Sequence, residues 1–163
     1  RFLNKGLNQY SISWKGRKQL RGKIFTNLYL LRNTMLGINA QTKRPMISQN
    51  YKNNMDALTC LLEHTQYCDI KVLIYIPPIR NDVEPPYILK EYSNFKKEIK
   101  GLSARYNNTY FVNLESIVSA QFWGTKEATS FSRKDELDFM HFQKEGHVIL
   151  YENLLVEIEK MIE

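Results

Sequence analysis

Ile70–Pro78 reads IKVLIYIPP. Its first seven residues are dense in branched apolar side chains whose character does not alternate, which predicts a strand covered on both faces rather than a half-solvated one. Pro77 and Pro78 offer no backbone donor and end it. Strands of this kind belong to parallel sheets, and the flanking segments supply the helices such a sheet needs. Upstream, Met55, Leu58, Leu61 and Leu62 form the expected buried face of a helix from about Tyr51 to Gln66. Downstream, Ile88, Tyr92, Phe95, Ile99 and Leu102 recur at steps of four, three, four and three, predicting a helix with Pro85 and Pro86 in its first turn. Asn107 and Asn108 break it, Thr109–Asn113 (TYFVN) reads as a second strand, and Leu114 to Leu137 shows no sustained period. A last helix from Lys144 to Met161 is expected to bury Val148, Tyr151, Leu154, Leu155 and Ile158. The rhythm is that of an α/β domain over residues 49–163, part of a doubly wound, flavodoxin-like parallel sheet flanked by helices, since two strands alone make a poor sheet.

Residues 1–48 read as a basic helical leader. Leu20, Ile24, Leu28, Leu31 and Met35 lie on one stripe, with Arg17, Lys18, Arg21 and Arg32 mostly off it, which predicts an amphipathic helix from about Lys18 to Met35. Gly37, the polar run Asn39 to Lys43 and Pro45 stop it. Eleven cations lie between Arg1 and Lys52, and the first acid is Asp56. The later residues carry twelve cations against all 17 acids, a net of −5. A field of that sign attracts an anionic envelope polymer, an anionic membrane surface or nucleic acid; equally, the block docks on an acidic surface of its own protein.

The 163 residues are 43% hydrophobic with 7 Gly, 5 Pro and 2 Cys, which excludes collagenous, low-complexity and disulfide-stapled classes. The longest apolar run, Val72 to Ile79, is too short to span a bilayer. There is no initiator Met and no signal-peptide succession, so the chain reads as a piece of a longer protein. Cys60 and Cys68 form no C-x-x-C pair and stand near no His at metal-ligand spacing, and read as small inert hydrophobes.

Ligands gather at the carboxyl ends of strands in an open parallel sheet. Pro77 to Asp82 (PPIRND) follows the first strand there, and the irregular stretch after Asn113 ends in Asp138-Phe-Met-His141, directly before the closing helix. An Asp three residues ahead of a His can fold its carboxylate onto the imidazole, fixing the tautomer and stabilising the imidazolium, as acyl-transfer chemistry requires. Arg80 and Asn81 fit an anionic or hydroxyl-rich substrate at the strand edge, or a solvent-facing turn. Phe122 and Trp123 fit a sugar-stacking platform, or a satellite core beneath a long loop. His64 reads as solvated and His147 as a capping or half-buried helical histidine; no metal and no cofactor are expected.

Taken in order, a strand ending in a proline pair, a helix, a second strand, then Leu137-Asp138-Phe139-Met140-His141-Phe142 with Gly146 and a terminal helix resembles the C-terminal half of an SGNH (GDSL-type) hydrolase domain. The similarity is to the cell-envelope branch that includes teichoic acid D-alanyl transfer and alginate acetyltransferase-like proteins. It covers Tyr51 to Leu155. The resemblance implies an esterase or O-acyltransferase acting on acylated envelope carbohydrate or anionic polymer, at the outer side of a bacterial membrane, with Asp138 and His141 as two members of the triad. The G-D-S-like serine block and the Gly and Asn oxyanion donors of that family are not recognisable here, and Ser116, Ser119, Ser130 and Ser132 sit in no G-x-S-x-G context. The nucleophile is therefore expected outside this chain, upstream or in a partner chain completing the sheet. Two further readings stand beside this one: a non-catalytic α/β interaction module, and a polyanion- or nucleic-acid-binding module built on the basic helix. No helix-turn-helix, RNP or zinc-finger spacing is present, so no specific nucleic acid is expected.

Overall fold

In a computed structural model, β1 (Val72–Ile76) and β2 (Thr109–Asn113) run parallel with Val72 opposite Thr109 and Ile76 opposite Asn113. The structure describes residues 5, 6, 9, 11–132 and 134–162, without the side chains of residues 12 and 13; Arg1, counted above among the cations, lies outside them. Two compact units divide the chain, one comprising residues 1–40 and 126–136, the other 41–125 and 137–163.

In the second unit, α2 (Ser48–Tyr67) precedes β1, and α3 (Leu89–Ser103) links β1 to β2. A one-turn 3-10 helix (Ala120–Phe122) leads into β3 (Trp123–Lys126), which pairs antiparallel with β4 (Glu136–Phe142), and α4 (Lys144–Ile162) follows. The architecture is thus mixed α/β, with a two-stranded parallel sheet and a separate antiparallel pair. Beyond the paired strands the backbones stay zipped, Leu114 N–H donating to Ile76 O at 3.0 Å and Ile79 N–H to Glu115 O at 3.1 Å. These bonds keep the two post-strand loops side by side.

Several expectations are corrected. β1 starts at Val72 rather than Ile70, because α2 ends in a Schellman motif: Asp69 takes φ 53°, its N–H donates to Gln66 O, and Ile70 N–H donates to Thr65 O. Asp tolerates this left-handed geometry better than most residues. Pro85 and Pro86 lie outside α3, whose N-cap is Ile88. They lead instead into an isolated parallel bridge between Arg44 and Tyr87, with Arg44 N–H donating to Pro86 O at 3.1 Å. β1 is not covered on both faces: Ile76 is buried, Val72 to Ile74 are half-buried and Tyr75 is exposed. Along α4, Val148, Tyr151, Leu155 and Ile158 are exposed and Leu154 is half-buried, and on α2 Leu61 is exposed while Leu62 is fully buried. Helical periodicity reports a face that can be covered, and the described residues supply cover for only part of each.

The first unit holds α1 (Ile12–Met35), six residues longer at its start than its apolar stripe suggests, because Ser11 caps it by accepting from Trp14 N–H at 3.2 Å. Its end is the Gly37 stop expected from sequence, at φ 62° with Ile38 N–H on Asn33 O. Fully buried Asn33 donates to Thr129 O at 2.7 Å, and Glu136 collects Ala40 N–H, Thr129 N–H and the Thr129 hydroxyl. The stripe from Leu20 to Met35 is exposed, not buried.

At the start of α4, a Cβ on Gly146 would stand 2.8 Å from Phe142 Cδ2 and 3.0 Å from Phe142 Cβ. The ring has little room to yield, with the Trp123 ring 5.4 Å away and the His147 ring 4.5 Å away. Gly146→Ala is therefore expected to lower stability by about 1–3 kcal/mol through overpacking, although alanine favours helix by about 1 kcal/mol. Urea melts of the two proteins check this; an unchanged or raised midpoint contradicts the packing.

Candidate active site

The sequence Glu136-Leu-Asp-Phe-Met-His-Phe142 forms β4, yet its burial does not alternate, since Asp138 and Phe139 are both buried and Met140 and His141 both exposed. The cause is the Asp138 side chain. Its Oδ1 accepts Met140 N–H at 2.8 Å and His141 N–H at 3.1 Å, and its Oδ2 lies 3.0 Å from His141 Nδ1. The contact anticipated from the three-residue spacing is present, on a strand rather than in a loop.

Burial works against the ionised form of Asp138, but the Met140 N–H, the His141 ring, the His141 N–H and the His141 charge outweigh it, and the carboxyl sits below its ordinary range. An ionised acceptor at Oδ2 requires Nδ1 to carry the hydrogen, which leaves the Nε2 lone pair free in neutral imidazole. The carboxylate side chain is 10% exposed and the imidazole 82%. A sheltered carboxylate thus orients a largely exposed ring.

The rest of the strand-end region is held by polar tethers. Arg80, nearly buried, donates through Nε and Nη2 to Asp82 at 2.7 and 3.0 Å and through Nη1 to Gly124 O at 2.9 Å. The hydrogen bond from Arg80 holds the Asp82 carboxyl below its usual value. The β1 loop is thereby fastened to β3, the partner strand of β4. Asn81 is exposed and lines a crevice of about 500 Å³ with Arg80, Asp82, Glu115 and Ser116. Trp123 is 5% exposed, its Nε1–H on Val118 O at 3.4 Å and its ring edge-on to Phe142, so it packs under the strand pair. Gln143 N–H donates to Phe122 O at 2.7 Å, anchoring the chain directly after His141 and Phe142.

No protein-family model, curated protein or solved structure matches this chain.

Sequence reading passed over Glu115 and misread Cys68. Glu115, in the crevice, is half-buried and accepts from Lys96 Nζ and from Asn113 Nδ2 at 2.9 Å. Burial presses its carboxyl upward, but these bonds and one from Tyr92 bring it below the ordinary value. The available signal was an acid two residues past a strand. Cys68, read as a small inert hydrophobe away from any His, is exposed with its Sγ 3.7 Å from His64 Nε2; the four-residue spacing on a helix was the sign of it.

A depressed folded-state pKa means that the unfolded chain binds the Asp138 proton more readily. Its contribution is then complete above the unfolded value near pH 4 and is lost as pH falls through the folded value. Asp138→Asn is expected to lower stability at neutral pH by roughly 1–3 kcal/mol. The gap to wild type should narrow as pH drops from about 5 to about 3. Urea midpoints across that range test it, and parallel curves would contradict an ionised, bonded Asp138.

Proposed function

We propose that this chain is the Asp–His-bearing part of an SGNH-type serine esterase or O-acyltransferase acting on acylated cell-envelope carbohydrate or anionic polymer. Its two-stranded parallel sheet is read as part of a doubly wound sheet that the serine-bearing segment, upstream or in a partner chain, completes. The observation that carries this reading is the sheltered Asp138 carboxylate on Nδ1 of an imidazole whose Nε2 is open.

In this reading the serine hydroxyl gives its proton to His141 Nε2 as its oxygen attacks the acyl carbonyl, forming the tetrahedral intermediate. The imidazolium then returns the proton to the leaving alcohol, and the acyl group stays on the serine until water or an acceptor hydroxyl takes it. Asp138 remains ionised throughout and offsets the charge on the ring. Asn81 and the crevice beside it offer polar contacts to a hydroxyl-rich substrate.

The test is a serine-directed fluorophosphonate together with an aryl acetate, applied to the protein containing these residues and the serine segment. Labelling is expected on a serine outside residues 1–163, and His141→Ala is expected to abolish it with turnover lowered about 10³-fold or more. Asp138→Asn should lower turnover by up to about 10⁴-fold. Equal turnover in wild type and His141→Ala would leave the non-catalytic reading in its place.

A recruiting role for α1 draws on Leu20, Ile24, Phe25, Leu28 and Leu31, all exposed on a helix that also carries Arg21, Lys23 and Arg32. Exposed apolar residues interleaved with cations suit an anionic surface. Binding of this chain to vesicles rich in phosphatidylglycerol should exceed binding to neutral phosphatidylcholine vesicles and weaken with salt, as cosedimentation would show. Equal binding to both would remove the electrostatic part of the reading.

A further inference from the structure

Along α4, Val148, Tyr151, Leu155, Ile158 and Ile162 recur at steps of three, four, three and four, and all five are exposed. That pattern is the a and d seam of a coiled-coil heptad, which stays against one partner helix along its length. The other side of α4 is already engaged, since Gly146 is buried and Ile149, Leu150, Leu154 and Met161 are half-buried. A helix apolar on both sides is one that is covered on both. Beside the open seam, at the e positions, stand Glu145, Glu152 and Glu159, all exposed. Among the described residues the ion pair on α4 is a different one, Glu157 with Lys160 at 2.6 Å, so these three carboxylates are uncommitted.

α1 carries the counterpart. Every residue from Lys18 to Tyr29 is exposed, although helices in proteins owe most of their stability to packing an amphipathic face. Ile24, Leu28, Leu31 and Met35 follow the same seam at steps of four, three and four, and Phe131 joins the first three in lining a groove of about 430 Å³. The e positions of this heptad are Lys18, Phe25 and Arg32, and no acid lies between residues 12 and 55. Neither seam suits a copy of itself, since α1 on α1 opposes cations and α4 on α4 opposes carboxylates. Each suits the other. Fourteen residues separate Lys18 from Arg32, and fourteen separate Glu145 from Glu159.

We propose that α1 of one copy of this chain packs antiparallel on α4 of a second copy, and that the second copy returns the contact, closing a dimer. In an antiparallel pair a positions meet d positions and e positions meet e positions. Leu31 then lies beside Val148 of the second copy, Leu28 beside Tyr151 and Ile24 beside Leu155. Arg32 meets Glu145 and Lys18 meets Glu159, with Phe25 and Glu152 between these pairs. Arg21 and Arg17 take the seam where it reaches Ile158 and Ile162, so the apolar contact spans three layers and the dimer depends on both contacts forming. The docked stripe of α1 is the one a bilayer would take up, so dimer formation and the recruiting role of α1 exclude each other. The inference is independent of the reading given to Asp138 and His141.

The test is sedimentation equilibrium of the 163-residue chain, kept reduced so that the exposed Cys60 and Cys68 form no crosslink. The mass is expected to rise with concentration to twice 19.3 kDa. Leu28→Gln should raise the dimer Kd by about tenfold or more, because each contact loses a buried leucine. Lys18→Glu and Glu159→Lys should each raise it by about tenfold at low salt, and the chain carrying both should return to wild-type association. Far-ultraviolet circular dichroism of each variant confirms that the helices are intact. A monomer mass at every concentration, a dimer indifferent to Leu28→Gln, or a double charge reversal weaker than either single one would each overturn the assignment.

Discussion

A carboxylate removed from water must find partners or give up its charge, and Asp138 finds three within its own four-residue stretch. Two backbone N–H groups take Oδ1 and the His141 ring takes Oδ2. The arrangement fixes the local path of β4, because a strand in simple alternation would not bury Asp138 and Phe139 side by side. It also fixes the imidazole tautomer without any residue from another element. The chemistry proposed for His141 follows from this local geometry, and most of the surrounding structure serves to hold that geometry at the rim of the strand pair.

How it is held can be followed outward. Phe142 is wedged between the Trp123 ring, the His147 ring and Gly146, and the next residue is tied back to Phe122. On the other side, Arg80 carries no free charge toward a ligand: its guanidinium is spent on Asp82 and on the carbonyl of Gly124. Such a buried, multiply bonded Arg works as a strut between the β1 loop and β3. On the proposed reading, ligand contacts at this edge fall to the exposed Asn81 and to groups lining the crevice, among them Glu115, whose carboxylate is ion-paired with Lys96 at the end of β2.

β1, β2 and the helices around them were legible because dense branched residues and a regular helical period each have one dominant structural solution; TYFVN at Thr109–Asn113 is the strand residue for residue. The Asp138–His141 contact was legible for the same kind of reason, since it is local. β3 and β4 were not. Trp123–Lys126 is too short to show a period, and in Glu136–Phe142 a buried acid stands where a strand pattern calls for an apolar residue. The early helix start at Ile12 depended on one capping serine, and the path of Pro85 and Pro86 on a bridge between Tyr87 and Arg44, 43 residues apart in sequence. Burial was the least legible property. Spacing identifies which side chains share a face, but cover depends on what packs there, and Leu28, Tyr151 and Leu155 share faces that stay open.

Those open faces bear on the chemistry. An imidazole that is 82% exposed has water, not substrate, as its neighbour. General-base catalysis of acyl transfer requires the alcohol within hydrogen-bond reach of Nε2 and donors aimed at the oxyanion, in a site where water does not compete. On the proposed reading, the element that brings the serine must therefore also cover His141. The half-buried Val72, Leu73 and Ile74 of β1 and the exposed Tyr75 leave apolar surface of the parallel sheet partly open. Covering such surface is favourable by about 25 cal/mol per Å² of apolar area. On the proposed reading, sheet completion and nucleophile delivery are then one event, driven by hydrophobic burial on β1 and expressed chemically at Nε2.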